Sequence, residues 1–188
     1  MIKKYVIFKQ IQRVGKKLFN LGLNNSHSGN ISVRSGNFVY ITHTGSMLDD
    51  LKLKSIVKVH ITDKTEKDKN ASMELIVHRA IYQSNPQVNA IVHAHAPYSV
   101  IMGIKNREII PVDMEGQYYL KCIPVMKVKN TIASADVAKG IKKYTQNNNT
   151  VIVDKHGVFA WGKTLEEAYH YISVTESACR INYLAGQN

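Results

Sequence analysis

Apolar residues along this chain follow two periods, which predict helices and strands in alternation. Spacings of three and four, typical of one helix face, mark four segments: residues 7–21, 72–83, 134–144 and the stretch that starts at Thr164. Short β-branched or alternating runs, typical of strands, occupy residues 31–34, 38–42, 56–61, 88–95, 150–153 and a run that follows a turn at 156–157. A short helix is expected near 98–102, and a turn at Glu115-Gly116.

Helices and strands intermix along the chain, and no repeat, low-complexity region or linker interrupts them. The pattern predicts a single α/β domain over residues 1–188, and a three-layer α/β/α arrangement suits it. A chain of 188 residues is long enough to bury a substantial core.

Composition narrows the classes of function. No apolar run approaches the roughly 18 residues that a membrane helix needs, and the apolar N-terminus is too short for a signal peptide, so we expect a cytoplasmic protein without a membrane partner. Cys122 and Cys179 are too few for a disulfide framework. The net charge of +11 comes from dispersed lysines, which argues against nucleic acid and suits an anionic, phosphorylated substrate.

Two histidines end the apolar run at 88–95. In a strand, residues i and i+2 point to the same face, so His93 and His95 are predicted to project side by side. Such a pair can bind a divalent metal, or it can be a hydrogen-bonded histidine pair.

Two further residues strengthen the metal interpretation. His156 follows another predicted strand and precedes Gly157, where a ligand or backbone can approach closely. Glu74 is expected in the first turn of its helix, where the helix dipole favours a carboxylate. Three histidines and a carboxylate supply the nitrogen and oxygen donors that zinc accepts, with four protein ligands or with three and an open position.

Two polar loops with glycine come earlier, at 28–32 and 42–46. Their backbone N–H groups, hydroxyls and amide are donors that suit a phosphate, although such loops are also ordinary turns.

The order of these motifs resembles the class II aldolase/adducin family. The matching blocks are Gly29-Asn30-Ile31-Ser32-Val33-Arg34, Ile41-Thr42-His43-Thr44-Gly45, Ser72-Met73-Glu74, His93-Ala94-His95 and His156-Gly157, and they extend over nearly the whole chain. The resemblance implies a three-layer α/β/α domain with a largely antiparallel or mixed central sheet. It also implies a homotetramer with sites between subunits.

The resemblance assigns roles to individual residues. It implies one divalent ion per subunit, zinc or else manganese or cobalt, held by His93, His95 and His156, with Glu74 as acid/base and additional ligand. The implied phosphate-binding residues are Asn30, Thr44, Gly45 and Ser72. The implied reaction is retro-aldol cleavage of a small ketose 1-phosphate such as L-fuculose 1-phosphate. Its products are dihydroxyacetone phosphate and a small aldehyde, formed through a metal-stabilised enediolate.

Two departures from the family pattern stand out. Met73 occupies a position where the family aldolases have a second hydroxyl residue, and methionine donates no hydrogen bond to phosphate. The family also uses a tyrosine from a neighbouring subunit as proton donor, and this chain has Glu115 in that region, with Tyr118 and Tyr119 slightly later. Glu115 suits that role if burial raises its pKa, and it is otherwise a surface carboxylate.

Other interpretations use the same scaffold. A sugar-phosphate 4-epimerase or a methylthioribulose-phosphate dehydratase would share most of these residues, and product analysis separates them. A non-enzymatic adducin-type binding module predicts a broken metal set, whereas Glu74 and the three histidines are all present here.

Overall fold

Eight strands form one central sheet in the structure, a computed structural model that describes residues 2–186. The strands are β1 (Asn30–Ser35), β2 (Phe38–Thr42), β3 (Ile56–His60), β4 (Ala90–Ala94), β5 (Glu108–Ile109), β6 (Ile123–Met126), β7 (Thr150–Val153) and β8 (Gly157–Gly162). The α-helices are α1 (Ile2–Asn20), α2 (Leu75–Ser84), α3 (Pro97–Lys105), α4 (Met114–Tyr119), α5 (Ala135–Ile141) and α6 (Leu165–Leu184). Within residues 2–186, none of the helices is long and apolar enough to cross a membrane.

The sheet is mixed, and helices cover both of its faces. Its strand order is β3-β2-β1-β4-β8-β7-β6-β5, and the pairing is antiparallel except between β6 and β7, which run parallel. One hydrophobic cluster packs α1, α3 and α6 against the sheet, and a second cluster packs α2 and α5 against the other face. The predicted three-layer α/β/α class with a mixed sheet is therefore confirmed.

Alternation along β4 decides which helical layer each of its residues meets. Ala90 and Val92 belong to the α1/α6 cluster, whereas Ile91 belongs to the α2/α5 cluster. His93 has the parity of Ile91, and its ring stacks on Phe159 of β8 at a centroid distance of 4.0 Å. The imidazole of His93 therefore lies on the face of the sheet that α2 and α5 cover.

Several predicted boundaries shift, and two of the shifts bear on the site. The helix expected from Ser72 begins at Leu75, because the Ser72 hydroxyl and carbonyl accept from the N–H groups of Glu74 and Leu75 in a preceding turn. Glu74 therefore stands at the N-cap position rather than in the first turn. β4 ends at Ala94, so His95 lies just beyond the strand.

The remaining differences lie away from the histidines. The prediction of a turn at Glu115-Gly116 is wrong, because both residues lie in α4. This helix begins at Met114, where the side chain of the N-cap residue Asp113 accepts from the Gly116 N–H at 2.8 Å. The helix from 134 is α-helical only over α5 and ends in a short 3-10 turn. Thr164 is confirmed as an N-cap, accepting from the Glu167 N–H.

A buried carboxylate fixes the segment that follows the His93/His95 motif. Glu176 of α6 accepts from the backbone N–H groups of Tyr98 and Ser99 at 2.9 and 2.8 Å, and from the Ser99 hydroxyl at 2.8 Å. These N–H groups belong to the first turn of α3 and have no partner inside the helix. The carboxylate therefore ties the chain just past His95 to α6.

A chain of buried polar groups connects α2 to β1. The Tyr82 hydroxyl lies 2.8 Å from Ser32 Oγ, which lies 2.7 Å from His78 Nδ1, and His78 Nε2 lies 2.6 Å from Asn30 Oδ1. His78 has no exposed surface, and burial lowers its pKa to about 3. The ring is therefore neutral near physiological pH.

The buried His78 ring predicts a pH dependence of folding stability. Its folded pKa of about 3 lies below the value of 6.5 expected in the unfolded chain, so its stabilising contribution is complete above pH 6.5 and is lost as pH falls toward 3. Each pH unit well inside this window should cost about 1.4 kcal/mol of unfolding free energy. In urea denaturation at pH 6 and pH 5, His78→Gln should lose stability less steeply than wild type by this amount.

Tyr82→Phe is the matched control for this prediction, because it removes one hydrogen bond from the same chain but keeps the imidazole. It should lower stability at both pH values and retain the wild-type slope. Equal slopes for wild type and His78→Gln would contradict the assignment.

Candidate metal centre

Three imidazoles meet where β4 ends and β8 begins. The strands are antiparallel and pair Ala94 with Val158, so the carboxyl end of β4 lies beside the turn that leads into β8. This arrangement brings His156 to His93 and His95: one nitrogen from each ring lies within 4.8 Å of the others. His93 Nε2 and His95 Nε2 are only 3.1 Å apart.

Gly157 is necessary for this approach. A Cβ atom at position 157 would lie 2.4 Å from the Ala94 carbonyl oxygen and 3.1 Å from Cε1 of His93. The first distance is shorter than atoms tolerate, so any side chain would push β8 away from β4. The sequence predicts that a ligand or the backbone approaches Gly157 closely. In the structure, the Ala94 backbone and the His93 ring make this approach.

The protonation state of His93 is set by its surroundings. Its Nδ1 lies 3.0 Å from the carbonyl oxygen of Val158, which only accepts, so Nδ1 carries the hydrogen and Nε2 presents a lone pair. Burial, reinforced by the neighbouring His156 and His95, lowers the pKa of His93 well below 6.5. Burial also lowers the pKa of His95, and it brings that of His156 to about 4. The rings are therefore neutral at pH 7, the form that binds metals.

Glu74 lies at the edge of the three imidazoles. Its Oε1 accepts from the Ala133 N–H at 2.8 Å and lies 3.7 Å from His156 Nε2, while its Oε2 is buried without a hydrogen-bond partner among the described residues. Burial raises the pKa of Glu74 to about 7, against the opposing effect of the Ala133 N–H. An unpaired buried carboxylate oxygen beside three neutral imidazoles is a donor set that fits a divalent cation.

The predicted phosphate-binding residues line the same cavity as these groups. A cavity of about 120 Å³ is bordered by Glu74, the three histidines and all four predicted residues, Asn30, Thr44, Gly45 and Ser72. Asn30 reaches it because it pairs with His93 in the β1–β4 ladder. Gly45 has a φ of +68°, a conformation that favours glycine.

Met73 and the α4 residues are placed differently. Met73 lies at the cavity rim with 69% of its surface exposed. Glu115, Tyr118 and Tyr119 are exposed on α4 and do not border the cavity within this chain. Within this chain, Glu115 is therefore a surface carboxylate.

A larger groove of about 810 Å³ adjoins the cavity and shares Thr44, Ser72 and Met73 with it. It contains neither Glu74 nor any of the three histidines. The candidate metal ligands and the candidate acid/base residue therefore all lie in the smaller cavity.

Two residues of the site escaped the sequence analysis. Asn24 Oδ1 accepts from the backbone N–H of His95 at 2.9 Å and so fixes the chain beyond β4. Ala133, whose N–H holds Glu74, has a φ of +47°, which is unusual for alanine. No sequence pattern marks either contact, since both depend on loops that meet only in the folded chain.

His27 and His43 also border the cavity, although neither was assigned a role from the sequence. His43 Nδ1 donates to the Thr44 carbonyl at 2.6 Å, which fixes this ring against the loop that carries Thr44 and Gly45.

Comparisons with known proteins identify the family. The family model described as Class II Aldolase and Adducin N-terminal domain matches residues 9–183. The L-fuculose phosphate aldolase of Methanocaldococcus jannaschii is 31% identical over 176 residues, 94% of this chain and 95% of that protein. The 5-methylthioribulose-1-phosphate/5-deoxyribulose-1-phosphate aldolase of Escherichia coli O45:K1 is 31% identical over 160 residues, 83% of this chain and 73% of that protein.

A solved structure extends the likeness to three dimensions. The L-fuculose-1-phosphate aldolase from Thermus thermophilus superimposes with a TM-score of 0.91 at 28% identity, covering 96% of this chain and 94% of that one. The sequence identity, the fold and a family model that matches most of the chain agree. Together they show that this chain is an enzyme of the aldolase (lyase) type and belongs to the class II aldolase and adducin family.

Proposed function

We propose that this protein cleaves a small ketose 1-phosphate of the L-fuculose 1-phosphate type into dihydroxyacetone phosphate and a small aldehyde. The observation that carries the proposal is one cavity bordered by three neutral imidazoles, a buried carboxylate of raised pKa and the four predicted phosphate-binding residues. The names of several relatives support this substrate class.

His93, His95 and His156 would hold the divalent ion, with Glu74 as a further ligand until substrate arrives. Imidazole and carboxylate donors favour zinc, and manganese and cobalt are also compatible. An ion held by these residues would polarise the substrate carbonyl and would stabilise the negative charge left when the carbon–carbon bond breaks.

Glu74 is proposed to carry the proton for one half of the reaction. Cleavage leaves an electron pair on the carbon that becomes part of dihydroxyacetone phosphate, and this carbon must gain a proton. Burial raises the pKa of the Glu74 carboxyl group in the absence of an ion, and this desolvation favours a carboxyl group that can both take and give a proton. The Ala133 N–H fixes Oε1, which leaves the unpartnered Oε2 as the atom that exchanges the proton.

The other half of the reaction needs a second group. The hydroxyl that becomes the aldehyde must lose its proton, and no tyrosine of the described residues borders the cavity. We place this group on α4 of a neighbouring copy in a homotetramer, where Glu115, Tyr118 and Tyr119 are the candidates. The exposure of Tyr118 (77%) and Met114 (80%) supports a contact between copies at α4.

Phosphate recognition is proposed to rest on Asn30, Thr44, Gly45 and Ser72. Together they border the cavity with an amide, two hydroxyls and a loop backbone. The side chain of Met73 supplies no hydrogen-bond donor, so this site has one hydroxyl fewer than the family pattern. The net charge of +11 provides long-range attraction for the anion.

The proposal predicts release of dihydroxyacetone phosphate by the zinc-loaded protein from L-fuculose 1-phosphate or 5-deoxyribulose 1-phosphate. A coupled reduction measures this product, and analysis of the remaining sugar detects an epimer or a dehydrated product. Glu74→Gln should lower kcat by roughly 10²- to 10⁴-fold because it removes the proton carrier. Glu166→Gln, at an exposed position in α6, is the control and should retain wild-type activity.

An epimer without cleavage would favour the 4-epimerase, and loss of water would favour the dehydratase. Glu74→Gln with wild-type kcat would contradict the role given to this residue.

Removal of the metal should abolish cleavage. Dialysis against a chelator is expected to eliminate activity, and zinc, manganese or cobalt should restore it. His156→Ala should purify with little metal, whereas His170→Ala, which alters a ring on α6 outside the cavity, should retain one ion per chain by elemental analysis. Full activity in metal-free protein would be incompatible with the proposal.

A further inference from the structure

The first turn of α3 depends on a cap from outside the helix. Ala96 stands at the N-cap position and offers no side-chain hydrogen bond, and Pro97 at the start of the helix has no N–H. The next two N–H groups, those of Tyr98 and Ser99, have no acceptor inside the helix. The Val100 N–H already donates to the Ala96 carbonyl. The group that accepts from Tyr98 and Ser99 therefore determines where this turn lies.

The Glu176 carboxylate of α6 supplies both acceptors. Its Oε1 accepts from the Tyr98 N–H at 2.9 Å, and its Oε2 accepts from the Ser99 N–H and hydroxyl, each at 2.8 Å. Glu176 is only 8% exposed and Ser99 has no exposed surface, so water cannot readily replace these bonds. A carboxylate here also complements the positive end of the helix dipole.

The opposite end of α3 is held independently. The Lys127 ammonium donates to the carbonyls of Gly103 and Ile104, in the last turn of the helix, at 2.6 and 2.9 Å. Loss of the Glu176 cap would therefore displace the first turn of α3 rather than the whole helix.

His95 is joined stiffly to this first turn. It lies beyond the end of β4, and within residues 2–186 its ring has no hydrogen-bond partner except the His93 ring. Only Ala96 and Pro97 separate it from Tyr98. The proline ring locks its own φ and restricts the conformation of the residue before it. A displacement of the turn is therefore passed to the backbone of His95.

We infer that Glu176 is a positioning residue for the metal centre: by capping α3, it holds His95 where the imidazole can join the other two in binding the ion. Asn24, which accepts from the His95 N–H, holds the chain on the other side. The inference rests on the proposed function only in that it takes His95 to be a metal ligand. Glu176 itself does not border the cavity, so it acts through α3.

Zinc affinity is the first test, measured on metal-free protein by competition with a chromophoric chelator. Glu176→Gln keeps the size of the side chain, but the NH2 end of the amide cannot accept from an N–H group. Zinc should then bind roughly tenfold more weakly, as expected when a residue that orients a metal ligand is altered. Glu176→Asp keeps the charge on a shorter side chain, and its zinc affinity should fall between those of Glu176→Gln and the wild type.

Asn182→Ala is the matched control, because it also removes buried hydrogen bonds of α6. The Asn182 side chain is 3% exposed, accepts from the Val112 N–H at 3.1 Å and donates to the Ile110 carbonyl at 2.8 Å. Its loss should lower the free energy of unfolding in urea and leave zinc affinity at the wild-type value. Equal weakening of zinc binding in both variants would indicate a general loss of stability and overturn the positioning role.

A double-mutant cycle tests whether the effect passes through His95. In His95→Ala, Glu176→Gln should cause no further loss of zinc affinity, whereas in His156→Ala it should retain its roughly tenfold effect. Calorimetric titration measures the weaker affinities of these variants. A further tenfold loss in His95→Ala would show that Glu176 does not act through this ligand.

The results separate this inference from the proposed function. Zinc binding that depends on Glu176 in a protein without aldolase activity would refute the proposed reaction and leave the positioning role standing. Wild-type zinc affinity in Glu176→Gln would refute the positioning role whatever the aldolase assay shows. Absence of zinc binding by the wild type would refute the metal centre and this inference together.

Discussion

The antiparallel pairing of β4 with β8 is the constraint on which the site depends. It places the end of one strand against the start of the other, so that the rings of His93 and His156, distant in sequence, meet with their centroids 4.7 Å apart. Gly157 makes the close contact possible, because a side chain there would collide with the Ala94 carbonyl. Two strands buried by helices on both faces form a rigid base for metal ligands.

Burial then gives the clustered groups their chemistry. The same desolvation lowers the pKa values of the three imidazoles and raises that of Glu74 to about 7. Neutral rings are the form that binds a metal, and a carboxyl group with a pKa near neutrality is suited to proton transfer. Desolvation therefore acts on both the proposed metal ligands and the proposed proton carrier, because it lowers the pKa of the bases and raises that of the acid.

Much of this arrangement could be predicted from the sequence, because strand periodicity alone places His93 and His95 together and the motif order indicates the family. The first residues of α2 and α4 could not be predicted, because hydrogen bonds from backbone N–H groups to the side chains of Ser72 and Asp113 determine where each helix begins. The role of His78 could not be predicted either. Its position one helical turn after Glu74 suits a residue that orients this carboxylate, but its ring forms hydrogen bonds with Asn30 and Ser32 instead. Contacts between distant loops leave no local pattern.

X-ray absorption spectroscopy of the zinc-loaded protein tests the central claim most directly, because it reports the atoms bound to the metal without reference to a substrate. The account predicts three imidazole nitrogens at about 2.0–2.1 Å, completed by oxygen, and no sulfur. His156→Ala should lower the number of imidazoles to two or abolish zinc binding. A wild-type spectrum with fewer than three imidazoles, or with a cysteine sulfur, would contradict the assignment of this cavity as the metal centre.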